Sequence, residues 1–418
     1  MKSPFALLAL VIDKHTSPRM QIAMAKLGAF LASPRKCIDS TPTVTVAKFK
    51  YGAYGAFCFS MDLELAWGLR FSATRKHLIP GSGRFARDAV PGLLDLMEKK
   101  QISATWCIVG HLLLNRCRAT QGRPHADMAR PLCKLDDAEV DWYSADPCTS
   151  YVSDPSWYAP DLVRRIVNSK VPQDVGTHSF SHVDFSNCSV RVAADELSAS
   201  LQLLRKFGCD PVTMIFPWNS VGHLEELVKQ GIKVIRDGGV GALKYPSKKD
   251  ALWIVTPTAH MSSRSSEFML HYLLEMSVRT GTVCHLWTHE WELDEQTMTT
   301  LRGVFDHVNL LARKGYLWAA NLKDLGFYCE ARQRVKTLVR SQSPNRFDIE
   351  MTCNDPQTTP KTAVTLLIKS ARQPILVRVD EIELPFPSQQ CFWRDGALHV
   401  TCLTHSRKIC VRFSPRES

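Results

Sequence analysis

Two acidic residues, Asp62 and Glu64, follow a short apolar run in the stretch FCFSMDLELAWG (57–68). In an extended strand, residues two positions apart point to the same face, so these two carboxylates would lie side by side. Neighbouring carboxylates at the end of a buried strand are costly unless a metal, a cation or a shared proton compensates their charge. We therefore expect an electrostatic partner for them elsewhere in the chain.

A histidine pair, His178 and His182, is the first candidate for that partner. The two lie four residues apart in THSFSH, a spacing that lets both imidazoles reach one cation from a helical turn or a tight loop. With one carboxylate from another strand they would form a two-histidine, one-carboxylate set that leaves positions open for water and substrate. The alternative is that both are ordinary surface or core histidines. The acids at a strand end favour the metal.

A third histidine, His289, lies in CHLWTHEW, where His285, Trp287 and His289 alternate onto one strand face. An imidazole beside an indole suits a proton donor in a sugar-binding cleft, because indole rings stack on carbohydrate. An aromatic core strand with an incidental histidine is the alternative.

Three further residues are candidates for substrate binding on the same reasoning. Trp67 and Trp218 are each either a stacking platform or part of the core. The segment FPWN, which ends at Asn219, could place backbone N–H groups around an oxyanion.

Alternating strand and helix patterns must position these residues. Strand-like runs such as AFCFSMD, ISATWCIVG, TMIFPWNS, IKVIRD and TVCHLWTHEW are separated by amphipathic helical stretches between residues 50 and 330. Repeated βα units predict an α/β fold with a parallel sheet that is closed or nearly closed into a barrel. Function then belongs at the carboxyl ends of the strands, where the candidate residues lie.

The domain prediction has three parts. Residues 1–50 form an N-terminal extension, residues 51–330 the barrel, and residues 340–418 a small all-β appendage joined through SQSPN. Residues 115–160 interrupt the barrel pattern with a polar segment rich in Asp, Pro, Trp and Tyr, which is either a binding loop or disordered.

The composition limits the partners. The net charge of +11 divides into +6 for residues 1–50, −1 for residues 51–330 and +6 for residues 331–418, so the catalytic region is neutral. No basic run is interleaved with aromatic residues, which disfavours nucleic acid. The 14 cysteines are scattered without zinc-ribbon spacing, and no stretch is long and apolar enough to span a bilayer. We expect a cytoplasmic protein without a disulfide framework.

The order of these motifs resembles the polysaccharide deacetylase superfamily, carbohydrate esterase family 4 and its relatives. The resemblance covers roughly residues 52–326 and rests on MDLELAWG, ATWCIVG and THSFSH in that order, followed by FPWN and a late histidine. It implies a distorted (β/α) barrel and a hydrolase that removes N-acetyl groups from glycans, or cleaves related non-peptide C–N bonds, with a divalent metal.

The resemblance also implies roles for individual residues. Asp62 is similar in position to the general base, His178 and His182 to metal ligands, and His289 to the acid that protonates the leaving amine. Zinc is the favoured metal, although cobalt, nickel, manganese and iron accept the same ligands.

Two departures from the family pattern qualify this prediction. The usual second aspartate, a metal ligand, is replaced by Leu63, and Glu64 is the candidate substitute, unless Asp62 and Glu64 exchange roles. An arginine that many members use to hold the catalytic aspartate is replaced by Ile215.

The main prediction is a metal-dependent deacetylase acting on a carbohydrate. The alternatives are a protein of the same fold that binds glycan without turnover, and a scaffold or nucleic-acid partner that uses the basic flanks.

Overall fold

The structure is a computed structural model that describes residues 43–131, 134–135, 138–239, 241–343, 345–355, 357, 361–370 and 372–413. Most of the expected N-terminal extension, residues 1–42, lies outside the described residues.

The strands of the described residues are, in chain order, β1 (Thr43–Val46), β2 (Gly55–Leu63), β3 (Thr105–Ile108), β4 (Lys134–Leu135), β5 (Ala138–Glu139), β6 (Asp174–Thr177), β7 (Thr213–Ile215), β8 (Val234–Arg236), β9 (Ser247–Lys249), β10 (Leu252–Ile254), β11 (Ala259–His260), β12 (Val283–His289), β13 (Leu317–Ala319), β14 (Val335–Ser343), β15 (Arg346–Cys353), β16 (Ala363–Lys369), β17 (Pro374–Val379), β18 (Ile382–Glu383), β19 (Cys391–Arg394), β20 (Ala397–Leu403) and β21 (Lys408–Phe413). The α-helices are α1 (Ala66–Leu69), α2 (Ile79–Lys100), α3 (Pro160–Val167), α4 (Val190–Lys206), α5 (Leu224–Lys229), α6 (Glu267–Thr280), α7 (Glu295–Arg313) and α8 (Leu322–Arg334).

The main sheet has the order β11-β12-β2-β3-β6-β7-β8-β10-β9, with β13 also paired to β2. Its pairs are parallel except for β9 with β10, and no pairing joins β10 to β11 among the described residues. The predicted α/β class is therefore confirmed, and the barrel is a curled sheet that stays open between these two strands.

Side-chain capping explains where several helices begin. The side chains of Ser189, Ser266, Asp294 and Asn321 each accept a hydrogen bond from a backbone N–H in the first turn of the helix that follows. These four caps satisfy N–H groups that have no partner within the helix, so each helix begins at a defined residue after its strand.

Strand β2 is an interior strand of the sheet, paired to β12, β3 and β13, and all nine of its residues are buried. Phe57, Phe59 and Met61 on one face pack into the larger hydrophobic core beneath the helices. The alternate residues belong to the opposite face, which is apolar at Ala56 and Cys58 and ends in the polar Ser60 and Asp62. This face lies inside the curled sheet and carries the candidate acids.

The C-terminal region is all-β, as expected, but it is built differently from the predicted appendage. It contains two antiparallel sheets, with strand orders β1-β16-β20-β19 and β14-β15-β21-β17-β18. The segment SQSPN is not a linker, because it connects the paired strands β14 and β15. Thr43–Val46, expected in the N-terminal extension, forms β1 and pairs with β16.

Residues 115–160 are held against the barrel through irregular structure. Their only regular strand pair among the described residues is β4 with β5, two residues each. No helix among the described residues is long and apolar enough to cross a bilayer.

Candidate active site

The candidate acids and histidines meet at the carboxyl-terminal edge of the main sheet. Asp62 is in register with His289 across the parallel pair of β2 and β12, and His178 follows β6 directly. Because β2, β3 and β6 are parallel neighbours, the residues that follow them reach the same edge. The sheet thereby brings together residues that are more than a hundred positions apart in sequence.

Glu64, His178 and His182 form a buried cluster. Glu64 Oε1 lies 2.8 Å from His178 Nε2 and 3.2 Å from His182 Nε2. All three side chains are almost fully buried, and their ligand atoms lie within 4.8 Å of one another. The geometry places Glu64 where the sequence hypothesis requires a replacement for the missing aspartate.

The hydrogen bonds around this cluster fit a metal ion. His178 Nδ1 is 2.8 Å from the carbonyl oxygen of Ile215, which turns Nε2 towards Glu64. Both ring nitrogens of His182 are buried and have no hydrogen-bond partner among the described residues. His182 Nε2 is thus close to Glu64 but not aligned to hydrogen-bond with it, as expected for two ligands aimed at a common point.

The ionisation states also suit a cation. Burial lowers the pKa of His182, so this imidazole is neutral near neutral pH, the form that binds a metal. Burial alone would raise the pKa of the Glu64 carboxyl, but the adjacent His182 and His178 lower it well below its usual range. An ionised carboxylate that faces two imidazole nitrogens, with that of His182 neutral, is a donor set for a divalent transition metal.

Asp62 is held by an arginine that the sequence interpretation missed. Arg236, the last residue of β8, donates to both carboxylate oxygens of Asp62, at 2.9 and 2.5 Å. Both side chains are buried. Ile215 stands where the resemblance implies an arginine, and Arg236, in register with it on the neighbouring strand, reaches the Asp62 carboxylate instead.

The position of Arg236 carried a signal in the sequence. It ends the strand-like run IKVIRD, where a charged residue at a buried strand end requires a partner. The guanidinium group lies 4.2 Å above the ring of Trp287 and also donates to Ser60 Oγ and to Asn219 Oδ1. Trp287 and Asn219 thus contact the arginine that holds Asp62.

Two features fix the turn that carries Glu64. The buried carboxylate of Glu290 accepts hydrogen bonds from the backbone N–H groups of Glu64 and Leu65, at 3.1 and 2.9 Å. Leu63 points into the hydrophobic core, so Glu64 supplies the cluster's carboxylate. Gly68 lies so close that a Cβ at this position would overlap Glu64 Oε2.

His289 belongs to a second hydrogen-bonded group at the same edge. Its Nδ1 is 2.7 Å from Glu292 Oε2, which is also 2.7 Å from His260 Nε2. Burial alone would lower the pKa of His289, but the hydrogen bond to Glu292 and the charge of Glu64 raise it above its ordinary value. His289 Nε2 is 3.8 Å from Glu64 Oε1, so this imidazole faces the cluster. The sequence interpretation did not include Glu292 or His260.

Of the two candidate tryptophans, one lies in the core and the other at the surface. Trp67 is 1% exposed and packs against His111 and Trp157, so it belongs to the core and not to an open platform. Trp218 is 48% exposed, and its ring centroid lies 5.2 Å from that of His182. Trp218 is therefore the tryptophan placed to contact a ligand beside the cluster.

Of the backbone N–H groups of Trp218 and Asn219, only one is a candidate donor to an oxyanion. The backbone N–H of Asn219 already donates to the carbonyl oxygen of Phe216, at 3.0 Å. The N–H of Trp218 remains the candidate, in a turn where Trp218 and Asn219 both adopt positive φ. His285 is also excluded from the reacting edge, because it is fully buried and pairs with Ser60 Oγ at 2.9 Å.

Comparison with protein families agrees with this geometry. Residues 81–230 match the family model described as Polysaccharide deacetylase. The matched range includes His178 and His182 and lies inside the α/β region. Over these residues the chain is similar to the polysaccharide deacetylase family.

Several solved structures are similar to this chain, and they are described as polysaccharide deacetylases or carbohydrate esterases. A protein from Mycobacterium smegmatis described as a polysaccharide deacetylase is 14% identical, covers 73% of this chain and 100% of its own, and has a TM-score of 0.49. A family 4 carbohydrate esterase from Streptomyces lividans is 14% identical over 64% of this chain and 92% of its own, with a TM-score of 0.34. The peptidoglycan deacetylase PdaC from Bacillus subtilis is 11% identical over 65% and 89%, with a TM-score of 0.34. No curated protein matches the chain.

Proposed function

We propose that this protein is a metal-dependent hydrolase that removes N-acetyl groups from a sugar-containing substrate. The observation that carries the proposal is the convergence of Glu64, His178 and His182, with both His182 nitrogens buried and unpartnered among the described residues. Asp62 and His289 lie beside this set, so one edge of the sheet offers a metal site, a base and an acid.

Glu64, His178 and His182 would hold the ion. A bound divalent metal supplies Lewis acidity that polarises the amide carbonyl and lowers the pKa of a water molecule. The burial of all three donors favours a fixed geometry.

Asp62 would act as the general base that takes a proton from the attacking water. Its two hydrogen bonds to Arg236 hold the carboxylate in one orientation. A base must lie within hydrogen-bond reach of the proton it accepts, so this fixed orientation matters for the rate.

His289 would donate the proton to the leaving nitrogen. Glu292 accepts from Nδ1, which leaves the Nε2 proton of the imidazolium directed at the cluster. When the C–N bond breaks, this proton passes to nitrogen and the amine leaves neutral. The N–H of Trp218 is the candidate donor to the developing oxyanion.

The proposal is tested by acetate release from a panel of N-acetylated oligosaccharides and glycolipids with zinc- or cobalt-loaded protein. We expect Asp62→Asn to lower the rate about 10²–10⁴-fold, the usual contribution of a general base, while metal content is retained. His178→Ala should lose the metal held by this set of residues and the activity. His271→Ala, on helix α6 away from this edge, is the matched control and should retain both.

Glycan binding without turnover is the competing outcome. It predicts that metal-loaded protein retains an N-acetylated glycan but releases no acetate from any member of the panel. Leu63 and Ile215 suggested this alternative, and both arguments lose force because Glu64 and Arg236 occupy the corresponding functional positions. A cytoplasmic location stays a prediction.

A further inference from the structure

A second cluster of metal-ligating side chains lies outside the proposed catalytic site. It consists of His111, Cys117, His125 and Asp146, whose ligand atoms all lie within 4.8 Å of one another. His111 follows β3 in a short 3-10 helix, and the other three belong to the irregular segment 115–160. The four residues are spread over 36 positions, which explains why no zinc-ribbon spacing marks them in the sequence.

The distances within the cluster match a tetrahedral site. Asp146 Oδ2 is 3.0 Å from His111 Nε2 and 2.9 Å from His125 Nε2, and Cys117 Sγ is 3.4 Å from the same His125 nitrogen. Tetrahedral coordination with bonds of about 2.0–2.3 Å places ligand atoms about 3.3–3.8 Å apart. An ion could therefore enter with shifts of a few tenths of an ångström.

Hydrogen bonding alone satisfies this arrangement poorly. The single N–H that His125 Nε2 can carry would be shared between Asp146 Oδ2 and Cys117 Sγ, and the sulfur is a weak acceptor. A cation that replaces these protons satisfies it better, since all three atoms can then act as electron-pair donors.

The surroundings supply outer partners for such ligands. His111 Nδ1 is 3.3 Å from the carbonyl oxygen of Trp157, a common acceptor for the second nitrogen of a metal-bound histidine, and 3.2 Å from the indole N–H of Trp67. Asp146 Oδ1 accepts from the Tyr158 hydroxyl and from the backbone N–H of Cys148, both at 2.9 Å, which leaves Oδ2 for the cluster.

We propose that His111, Cys117, His125 and Asp146 bind a structural zinc ion that fastens segment 115–160 to the barrel. One thiolate and one carboxylate balance the charge of Zn²⁺, and binding releases the thiol proton to solvent. Four protein ligands close the coordination shell, as in structural and not catalytic sites.

The zinc site would also stabilise the loop that carries His178 and His182. The backbone N–H of His111 donates to the carbonyl oxygen of Phe180, which lies between His178 and His182 in sequence. A metal-anchored His111 therefore holds the loop that carries both histidines.

The test is metal content of the purified full chain together with the spectrum of its cobalt-substituted form. We expect two equivalents of metal per chain and a thiolate-to-cobalt charge-transfer band in the near ultraviolet. Cys117→Ser should remove the band and one equivalent. His178→Ala should also remove one equivalent but leave the band, which separates this site from the proposed catalytic one. Cys209→Ser, a half-buried cysteine outside the cluster, is the matched control and should change neither.

The absence of a thiolate band in the wild-type cobalt protein would overturn the proposal even if Cys117→Ser fails to fold. A disulfide between Cys117 and Cys148, whose sulfurs lie 3.7 Å apart, would also overturn it. One metal equivalent with the band present supports the structural site and counts against the catalytic one.

Discussion

Asp62 and Arg236 form the contact in which the exact side-chain chemistry matters most. The pair is buried and bidentate, so the guanidinium group both compensates the charge and fixes the direction of the carboxylate. Lysine carries the same charge on a flexible stem but cannot donate in this fork geometry.

We therefore expect Arg236→Lys to lower the rate of acetate release roughly 100-fold, because small misplacements of a catalytic group have effects of this size. Metal content should stay the same, since Glu64, His178 and His182 are untouched. Steady-state kinetics and metal analysis of the same preparation check this. Arg378→Lys, whose partly exposed side chain lies on β17 in the C-terminal sheets, is the control, and equal activity of both variants would contradict the positioning role.

Substitution of Gly68 tests whether Glu64 is a metal ligand. A methyl group at this position would overlap the Glu64 carboxylate, so Gly68→Ala should push Glu64 away from the histidines. We expect the loss of one metal equivalent and of acetate release, as measured by metal analysis and activity. Gly81→Ala is the matched control, because nothing lies within 4 Å of a Cβ there. Full metal occupancy in Gly68→Ala would show that Glu64 is not a ligand.

At the scale of elements, one buried carboxyl ties several strands and a helix together at the opposite end of the sheet from the proposed site. Asp174, at the start of β6, accepts from the hydroxyls of Thr105 on β3 and Thr213 on β7, both at 2.9 Å. It also accepts from the backbone N–H of Lys323 in α8, at 3.3 Å. Burial raises the pKa of Asp174 to about 6.

This raised pKa predicts a pH dependence of stability. Between about pH 4 and pH 6 the folded chain binds the proton more tightly than the unfolded chain, so the contribution of Asp174 to the free energy of unfolding falls as pH rises. The full effect is at most about 3 kcal/mol. Urea unfolding should show that the stability of Asp174→Asn relative to wild type increases across this window. Asp88→Asn, exposed on α2, should show no such trend, and a constant difference for Asp174→Asn would contradict the prediction.

At the scale of the whole molecule, the two-sheet region is joined to the barrel by a shared core. The second hydrophobic core contains Ala56 and Cys58 of β2 together with Tyr328 of α8, and it extends to Ile349 and Val411 of the β-sheets. The two C-terminal sheets therefore cover the end of the curled sheet opposite the proposed site, and their removal would expose apolar surface.

Arg394 is one of the polar links in this interface. It donates to the carbonyl oxygens of Gly315 and Gly52, and its guanidinium group lies 4.7 Å from the ring centroid of Tyr54. We expect Arg394→Ala to lower the free energy of unfolding by about 2 kcal/mol or more, because two carbonyl groups lose their donor. Calorimetry and limited proteolysis check this. Arg378→Ala is the control, and equal loss in both variants would contradict a specific link.

The sequence by itself determined the class of fold, most of the βα units and the residues Asp62, Glu64, His178, His182 and His289 as one set. These features depend on the local spacing of apolar residues and on the order of the motifs, and both can be read from one amino-acid sequence. Helix α8 and the hairpin of β14 and β15 were missed, since their boundaries depend on packing against distant strands.

Only the tertiary structure decided which side chains complete the site. Arg236 and Glu292 act on Asp62 and His289 through space, and nothing local in IKVIRD or HEWE states which partner each one meets. The same reason explains the assignment of Trp67 to the core and the gathering of four dispersed ligands around Asp146. Contacts of this kind arise where strand ends and loops converge, and that convergence depends on the curvature and order of the whole sheet.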